Sequence, residues 1–507
     1  MLSRVTRSIS PESRKAGAAA FAGAIAAAAL GLVATAGTPG EGSPSRDAVE
    51  IQLLGVNDFH GHLESPSAIA RDPGGPEIPL GGAAALDAHL DQAGRSHPGR
   101  TIRVHAGDMV GASPLLSSHF HDEPSVRAMN LMDFDVGTLG NHEFDEGGDE
   151  MIRLLEGVDF PYIAANTVDR AGELQMPPTK IVERAGVRIG FIGVTTESTP
   201  HFLLGEHSGR FNWLDISATV NRHAADLRRQ GVEAIVVLAH SGAFHATGDS
   251  DLARGEIIDE TREMTGAVDV VIAGHSHSFL NTRVRNLDGV GDKLVVEAQS
   301  YGRAFDRVRM TIDRATGQVL GKTADTPQTW NDEITLDPTV SALVARYREA
   351  LGGLGDRVVG QAAVPMGLMA PGEPGGNLGT VAVRAQRRLA GADIAFLNDG
   401  NMRATLDAGP ITYAELFSVC AYEHPVASMR MSGRDVLSVL AQREVVLHFD
   451  GPARIDPQGT YTVAANRLLI DKGGIEELTR AAADGAEPVG TDLEALVAEV
   501  ERIGVLR

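Results

Sequence analysis

LLGVNDFHGHLE, residues 53–64, begins as an apolar run and ends as a polar one. Leu53, Leu54, Gly55 and Val56 read as a buried strand. Asn57, Asp58, Phe59 and His60 follow at once, so the strand delivers a carboxylate and an imidazole, two residues apart, to its own C-terminal edge. Taken alone, Asp58 and His60 read as a turn and a surface histidine. The arrangement recurs along the chain, however. Asp108 follows the β run in VHAGDMVGAS, and Asn141, His142 and Asp145 lie in GTLGNHEFDEGG. His240 follows VVLA, and His275 and His277 follow VIAG. Singly, each has an ordinary explanation: Asp108 as a helix N-cap, Asn141-His142 as turn chemistry, His240 as a satisfied histidine. Jointly they form a set limited to Asp, Asn and His, which suits zinc, manganese, iron or cobalt through nitrogen and oxygen donors. The lack of thiolates points away from a structural zinc finger. Asp58, His60, Asp108, Asn141, His240, His275 and His277 are enough ligands for two divalent metal ions rather than one.

The surroundings set the fold class. IQLLGV (51–56), TIRVHA (101–106), VRIGFIGV (187–194), EAIVVLA (233–239), VDVVIA (268–273) and LVVEA (294–298) are short, mostly continuous apolar runs alternating with helical stretches. Such runs suit strands covered on both faces, hence a layered α/β architecture with function at the strand ends. LDPTVSALVARYREALGG (336–353) carries an Asp-Pro start, helical periodicity and a Gly-Gly stop. We read residues 331–353 as a connecting helix, 47–330 as the metal-bearing domain and 354–507 as a second α/β domain. The length of 507 residues agrees with two domains. Lys plus Arg number 45 against 67 Asp plus Glu, a net charge of −22 that argues against nucleic acid as a partner. Cys420 is the sole cysteine, so no internal disulfide forms, and its apolar neighbours make it a small core residue. Asp87, His89, His105, His119, His121 and His245 read as surface or packing residues, and Lys322 as a strand-end charge.

At the N-terminus, Arg4, Arg7, Arg14 and Lys15 precede an Ala-rich apolar run ending in Ala34-Thr35-Ala36. This is the layout of a secretory signal peptide, residues 1–36, cleaved after Ala36. Residues 37–46 then form a flexible linker. A secreted protein without a stable membrane span is expected; an uncleaved anchor is the alternative.

Asp58-x-His60, Gly107-Asp108, Gly140-Asn141-His142-Glu143, His240 and Gly274-His275-x-His277, in this order, resemble the calcineurin-like metallophosphoesterases. GNHEFD together with a long C-terminal region resembles the 5′-nucleotidase family among them. The resemblance implies a four-layered α/β/β/α metal domain followed by a C-terminal α/β substrate-binding domain. It implies one metal on Asp58, His60 and His277, a second on Asn141, His240 and His275, and Asp108 bridging them. Two such cations lower the pKa of a shared water and clamp phosphate oxygens, so that hydroxide attacks phosphorus in line with the leaving alkoxide. By the same resemblance, His142 stabilises the developing charge and Asp145 keeps it cationic. In the second domain NDGNMR (398–403) keeps the N-x-G-x-x-R spacing of the family but has Asp399 and Asn401 where glycines are usual. Asn398 would contact the base and Arg403 the phosphate. Tyr422 matches one of two rings that stack the base, whereas NRLLIDKGGIEEL (466–478) has no aromatic for the other. MGLMAPGEP (366–374) lacks an arginine that family members often carry. The expected activity is a metal-dependent phosphoric-monoester hydrolase acting on a small phosphorylated substrate, a nucleotide, as a 5′-nucleotidase. A cyclic-nucleotide or nucleotide-sugar phosphodiesterase, a thiosulfohydrolase-like enzyme and a catalytically inactive binding protein are the rivals.

Overall fold

The structure, a computed structural model, describes residues 47–507 apart from 73, 205, 206, 208, 247, 248, 368–375 and 443–446. The expected signal peptide (1–36) and linker (37–46), and most of the MGLMAPGEP segment, lie outside the described residues.

Strand Ala48–Val56 is mostly apolar, with Glu50 and Gln52 as its polar residues. Ile51 and Leu53 point into a core shared with a second sheet, while Leu54 and Val56 point into a core shared with helices. Alternate side chains fall on opposite faces, so a strand buried on both sides is mostly apolar, and the buried Gln52 keeps its place by donating from Nε2 to the Ala93 carbonyl at 3.0 Å. The same division holds for Val187–Thr195, where Ile189 and Phe191 face one way and Ile192 and Val194 the other. Two six-stranded sheets result. The first runs Val319–Asp325, Asp306–Asp313, Ala48–Val56, Thr101–His105, Val136–Thr138 and Tyr162–Ile163. The second runs Phe279–Arg285, Asp292–Ala298, Val270–Ala273, Ala234–His240, Val187–Thr195 and Thr179–Arg184. They pack face to face. Helices Ala83–Arg95 and Glu123–Leu131 cover the first sheet, and Ile216–Arg229 and Glu256–Glu263 the second. The layers are α/β/β/α, as the resemblance implied.

The central strands of each sheet are parallel, so their C-terminal ends share one edge. Asp58, Asp108 and Asn141 follow strands of the first sheet; His240 ends a strand of the second, and His275 follows another. Lys322 departs from expectation. It lies mid-strand, not at a strand end, because the strand runs on to Asp325, and its Nζ donates to the Asp292 carbonyl at 2.5 Å.

Helix Pro338–Leu351 begins at Asp337, whose carboxylate accepts from the Thr339 and Val340 amides at 2.7 and 2.9 Å. It packs through Val340 and Tyr347 on the helices of the first sheet. Beyond it lies a five-stranded mixed sheet, Leu447–Asp450, Ile394–Asn398, Thr460–Asn466, Pro425–Ser432 and Glu487–Thr491, with helices on both faces. Cys420 is buried in its core. Helix Leu378–Leu389 is capped by Asn377, and Tyr413–Val419 by a Thr412–Glu415 capping box.

Candidate active site

The strand-end loops reverse sharply. Asp58, His60, Asp108, His275 and His277 all have positive φ, between 48° and 78°. Non-glycine residues rarely sit in this region, and they stay there only where neighbours over-determine them. Backbone bonds do part of this: Asp58 and His60 amides donate to the Gly107 and Asp108 carbonyls, each at 3.0 Å. Glycine is required where the loops touch. A Cβ on Gly140 would lie 2.0 Å from Asp108 Oδ1, and one on Gly107 would lie 2.5 Å from the Gly140 nitrogen.

All seven expected ligands converge. His277 Nε2 is 3.2 Å from both Asp58 Oδ1 and His60 Nε2. His240 Nε2 is 2.9 Å from Asp108 Oδ2 and 3.1 Å from Asn141 Oδ1, and the His240 and His275 rings are 5.2 Å apart. Asp58, His60 and His277 make one group whose donor atoms lie within 4.8 Å of one another, and Asp108, His240 and His275 make another. Asp108 also meets His60 and His142 in a third such group, which places it between the first two.

The donor chemistry fits cations. His60 Nδ1 donates to the Gly111 carbonyl and His240 Nδ1 to the Ala106 carbonyl, each at 2.8 Å. That fixes both tautomers and turns the Nε2 lone pairs inward, the arrangement seen around metal-binding histidines. Burial holds the His60 and His275 imidazoles down at about 4, so both rings are neutral and free to act as donors at neutral pH. His240 differs. Burial opposes its charge, but the adjoining Asp108 carboxylate pushes it up to about 10, so a proton and a cation compete for its Nε2.

His142 stands at the border of this cluster, its Nε2 4.0 Å from Asp108 Oδ2. Its Nδ1 meets the Asp145 carboxylate at 2.8 and 3.0 Å. Burial works against a charged ring, yet Asp145 and Asp108 raise its pKa overall. Arg403 and Tyr422 come to the same border from the C-terminal side. The Tyr422 ring stacks 4.9 Å from His424 and 5.7 Å from His142, with the Arg403 guanidinium 5.6 Å from its centroid. Among the described residues no carboxylate pairs with Arg403. Asn398 ends its strand with Oδ1 buried and unpartnered, and makes no hydrogen bond to the cluster. Asn401, in a family glycine position, is buried with neither amide atom partnered.

Three residues escaped the sequence reading. Glu143 is quoted in the GNHE motif, but its role is visible only in three dimensions. Its carboxylate accepts from the amides of Met109, Asp108 and Gly140 at 2.8, 3.1 and 2.5 Å and pins the two loops together. Glu297 is fully buried behind the His275–His277 turn, accepting from Ser276 Oγ at 2.7 Å and from the Ser278 amide at 3.1 Å. Tyr301 walls the site 5.3 Å from His277. Alternation in GHSHS is the one signal that could have pointed to Glu297, since the serines must face away from the histidines.

Family models agree with this geometry. Residues 51–279 match the calcineurin-like phosphoesterase and residues 358–453 the 5′-nucleotidase C-terminal domain. The chain belongs to the 5′-nucleotidase family of calcineurin-like phosphoesterases. It is 33% identical over 453 residues to the cell wall protein Lmo0130 of Listeria monocytogenes, covering 78% of this chain and 56% of that one. It is 30% identical over 469 residues to the endonuclease YhcR of Bacillus subtilis, covering 85% of this chain. The chain spans only 38% of YhcR. A 5′-nucleotidase precursor from Thermus thermophilus shares its fold, with a TM-score of 0.76 at 23% identity, over 90% of this chain and 97% of that one.

Proposed function

We propose that the chain is a two-metal phosphoric-monoester hydrolase that releases phosphate from nucleoside monophosphates. One observation carries this reading: two groups of carboxylate and imidazole donors share a border at Asp108, with the His142–Asp145 pair beside it. Asp58, His60 and His277 would hold one divalent cation, Asn141, His240 and His275 the other, and Asp108 would serve both. The cations would supply an acidified water and positive charge for phosphoryl oxygens. The chain does the rest. Asp145 keeps the proton on His142 Nδ1, and His142 Nε2–H donates to oxygens that gain charge as the ester bond breaks. Arg403, which has no carboxylate partner among the described residues, would hold the phosphate as a planar fork.

The division into 47–330 and 354–507, joined by 331–353, is part of the proposal. It is supported by sheet membership, since no sheet among the described residues draws strands from both sides. Export is proposed from the N-terminal leader, and among the described residues no helix is long and apolar enough to cross a membrane.

A diesterase reading has one specific support, the similarity to an endonuclease. Chromatographic product analysis with the purified protein and manganese, zinc or cobalt separates the two: a monoesterase frees phosphate and the alcohol, a diesterase yields a monoester and no free phosphate. The panel is AMP, UMP, a cyclic nucleotide, a nucleotide sugar and single-stranded DNA. Turnover confined to the diesters would overturn the monoesterase reading; turnover of none, with metal bound, would favour an inactive binding protein.

A further inference from the structure

We infer that Tyr301 touches the substrate, its hydroxyl donating a hydrogen bond to an oxygen of the phosphoryl group from the His277 side of the site. The assignment rests on the reading above that a phosphoryl group is held here. It adds a contact that neither the ligand set nor the His142–Asp145 pair supplies.

Tyr301 enters from the loop after strand Asp292–Ala298. Its ring is edge-on to His277 at 5.3 Å and to His60 at 5.9 Å. His142 adjoins the same His60 ring at 4.9 Å. Both side chains therefore border the group formed by Asp58, His60 and His277.

The backbone holds the residue there at a cost. Tyr301 has a φ of 63° and Gln299 one of 60°, a region that bulky side chains rarely enter. Such a conformation persists where its surroundings over-determine it. Here the Tyr301 amide donates to the Asp58 carbonyl at 2.7 Å, so the loop is tied to the backbone of a candidate ligand.

Packing then fixes the ring. His62 lies 4.0 Å from it, centroid to centroid, and the Arg303 guanidinium 4.9 Å from its centroid. The hydroxyl is left over: among the described residues it has no hydrogen-bond partner. A packing role asks for the ring alone, and phenylalanine would fill it. The oxygen is the one part of this side chain that the fold does not use, and a phenol has a proton to donate.

Arg403 lies in the same neighbourhood. Burial works against its charge, while Tyr422, Tyr301, Asp108 and Asp145 together push its pKa up. A phosphoryl group held by Arg403 beside Asp108 therefore comes within the surroundings of the Tyr301 hydroxyl. Its non-bridging oxygens are charged before the ester bond breaks as well as during the reaction. A donor to one of them binds ground state and transition state alike, so its loss is read in KM rather than in kcat. This separates Tyr301 from His142, whose oxygens gain charge only as the bond breaks.

The test compares wild type, Tyr301→Phe and Tyr301→Ala, each with manganese, its metal content measured by elemental analysis. The probes are p-nitrophenyl phosphate for turnover and inorganic phosphate for binding by isothermal titration calorimetry. Tyr301→Phe should keep its metal and a kcat near wild type. Its KM and its Kd for phosphate should each rise about 10- to 100-fold, the range for one hydrogen bond to a charged group. A ring that only packs would leave Tyr301→Phe like wild type and affect Tyr301→Ala alone, and that result overturns the assignment. Metal loss in Tyr301→Phe overturns it too, by making the phenol a ligand. Wild type that hydrolyses no phosphate ester overturns the hydrolase reading; the phosphate titrations then still decide whether Tyr301 makes the contact.

Discussion

Glu297→Ala should weaken metal binding without touching a metal ligand. The Glu297 carboxyl lies behind the turn that carries His275 and His277, both at positive φ. It meets Ser276 Oγ at 2.7 and 2.9 Å and the Ser278 amide at 3.1 Å. Ser276 Oγ in turn accepts from the Ala243 amide at 3.0 Å, which ties the turn to the loop after His240. Alanine leaves the Ser278 amide buried without an acceptor and opens a void. Together these cost about 2–4 kcal/mol of stability. The two left-handed histidines lose a restraint, and metal affinity should fall about 10- to 100-fold, the usual scale for groups that orient ligands.

Glu297→Gln should behave differently. Burial raises the Glu297 pKa well above its ordinary 4.5, with Asp58 adding to the effect, so the acid form persists to higher pH in the folded chain than in the unfolded one. Below pH 4.5 both folded and unfolded forms are protonated. As pH rises past 4.5 the unfolded form ionises and the native form does not, so stability drains away by up to about 1.4 kcal/mol per pH unit until the folded pKa is reached. Glutamine keeps the shape and the neutrality and lacks that drain. Its advantage over wild type should therefore grow with pH above 4.5, with metal affinity near wild type. The assays are competition titration of manganese or zinc against a fluorescent chelator, and denaturant unfolding across pH 4–8. Wild-type affinity in Glu297→Ala would refute the reasoning, as would a pH-independent gap between glutamine and wild type.

Three further outcomes are expected. His142→Asn should keep its metal content, measured by elemental analysis, while kcat falls by roughly 10²–10³, the scale for one lost charge-stabilising donor; loss of metal would make His142 a ligand instead. Asp108→Ala should lose both metals in the same measurement, since Asp108 borders both groups, and chelation should abolish wild-type turnover. Edman sequencing of protein from the culture medium should begin at Gly37, and recovery of residues 1–36 in a membrane fraction would support the anchor.

The Asp, Asn and His cluster was legible because its residues obey a local rule. Asp58, Asp108, Asn141, His240 and His275 each sit where an apolar run stops, and parallel strands gather such points on one edge whatever the intervening sequence. The α/β layering was legible for a related reason: strands buried on both faces have few polar positions to confuse the pattern. Lys322 misled because a charge within a half-exposed outer strand looks like a strand's end.

Glu297 and Tyr301 obey no local rule. Glu297 sits in LVVEA as one acid in an apolar strand, and its meaning lies in Ser276 and Ser278, twenty-one and nineteen residues away. The difference is physical. Metal ligands are chosen by donor type, which a sequence displays. The groups that orient ligands and house a leaving group are chosen by position, and any residue of suitable size and polarity will serve. A group such as Glu297, which acts through Ser276 and Ser278 far along the chain, is therefore the part of a site that sequence reveals last.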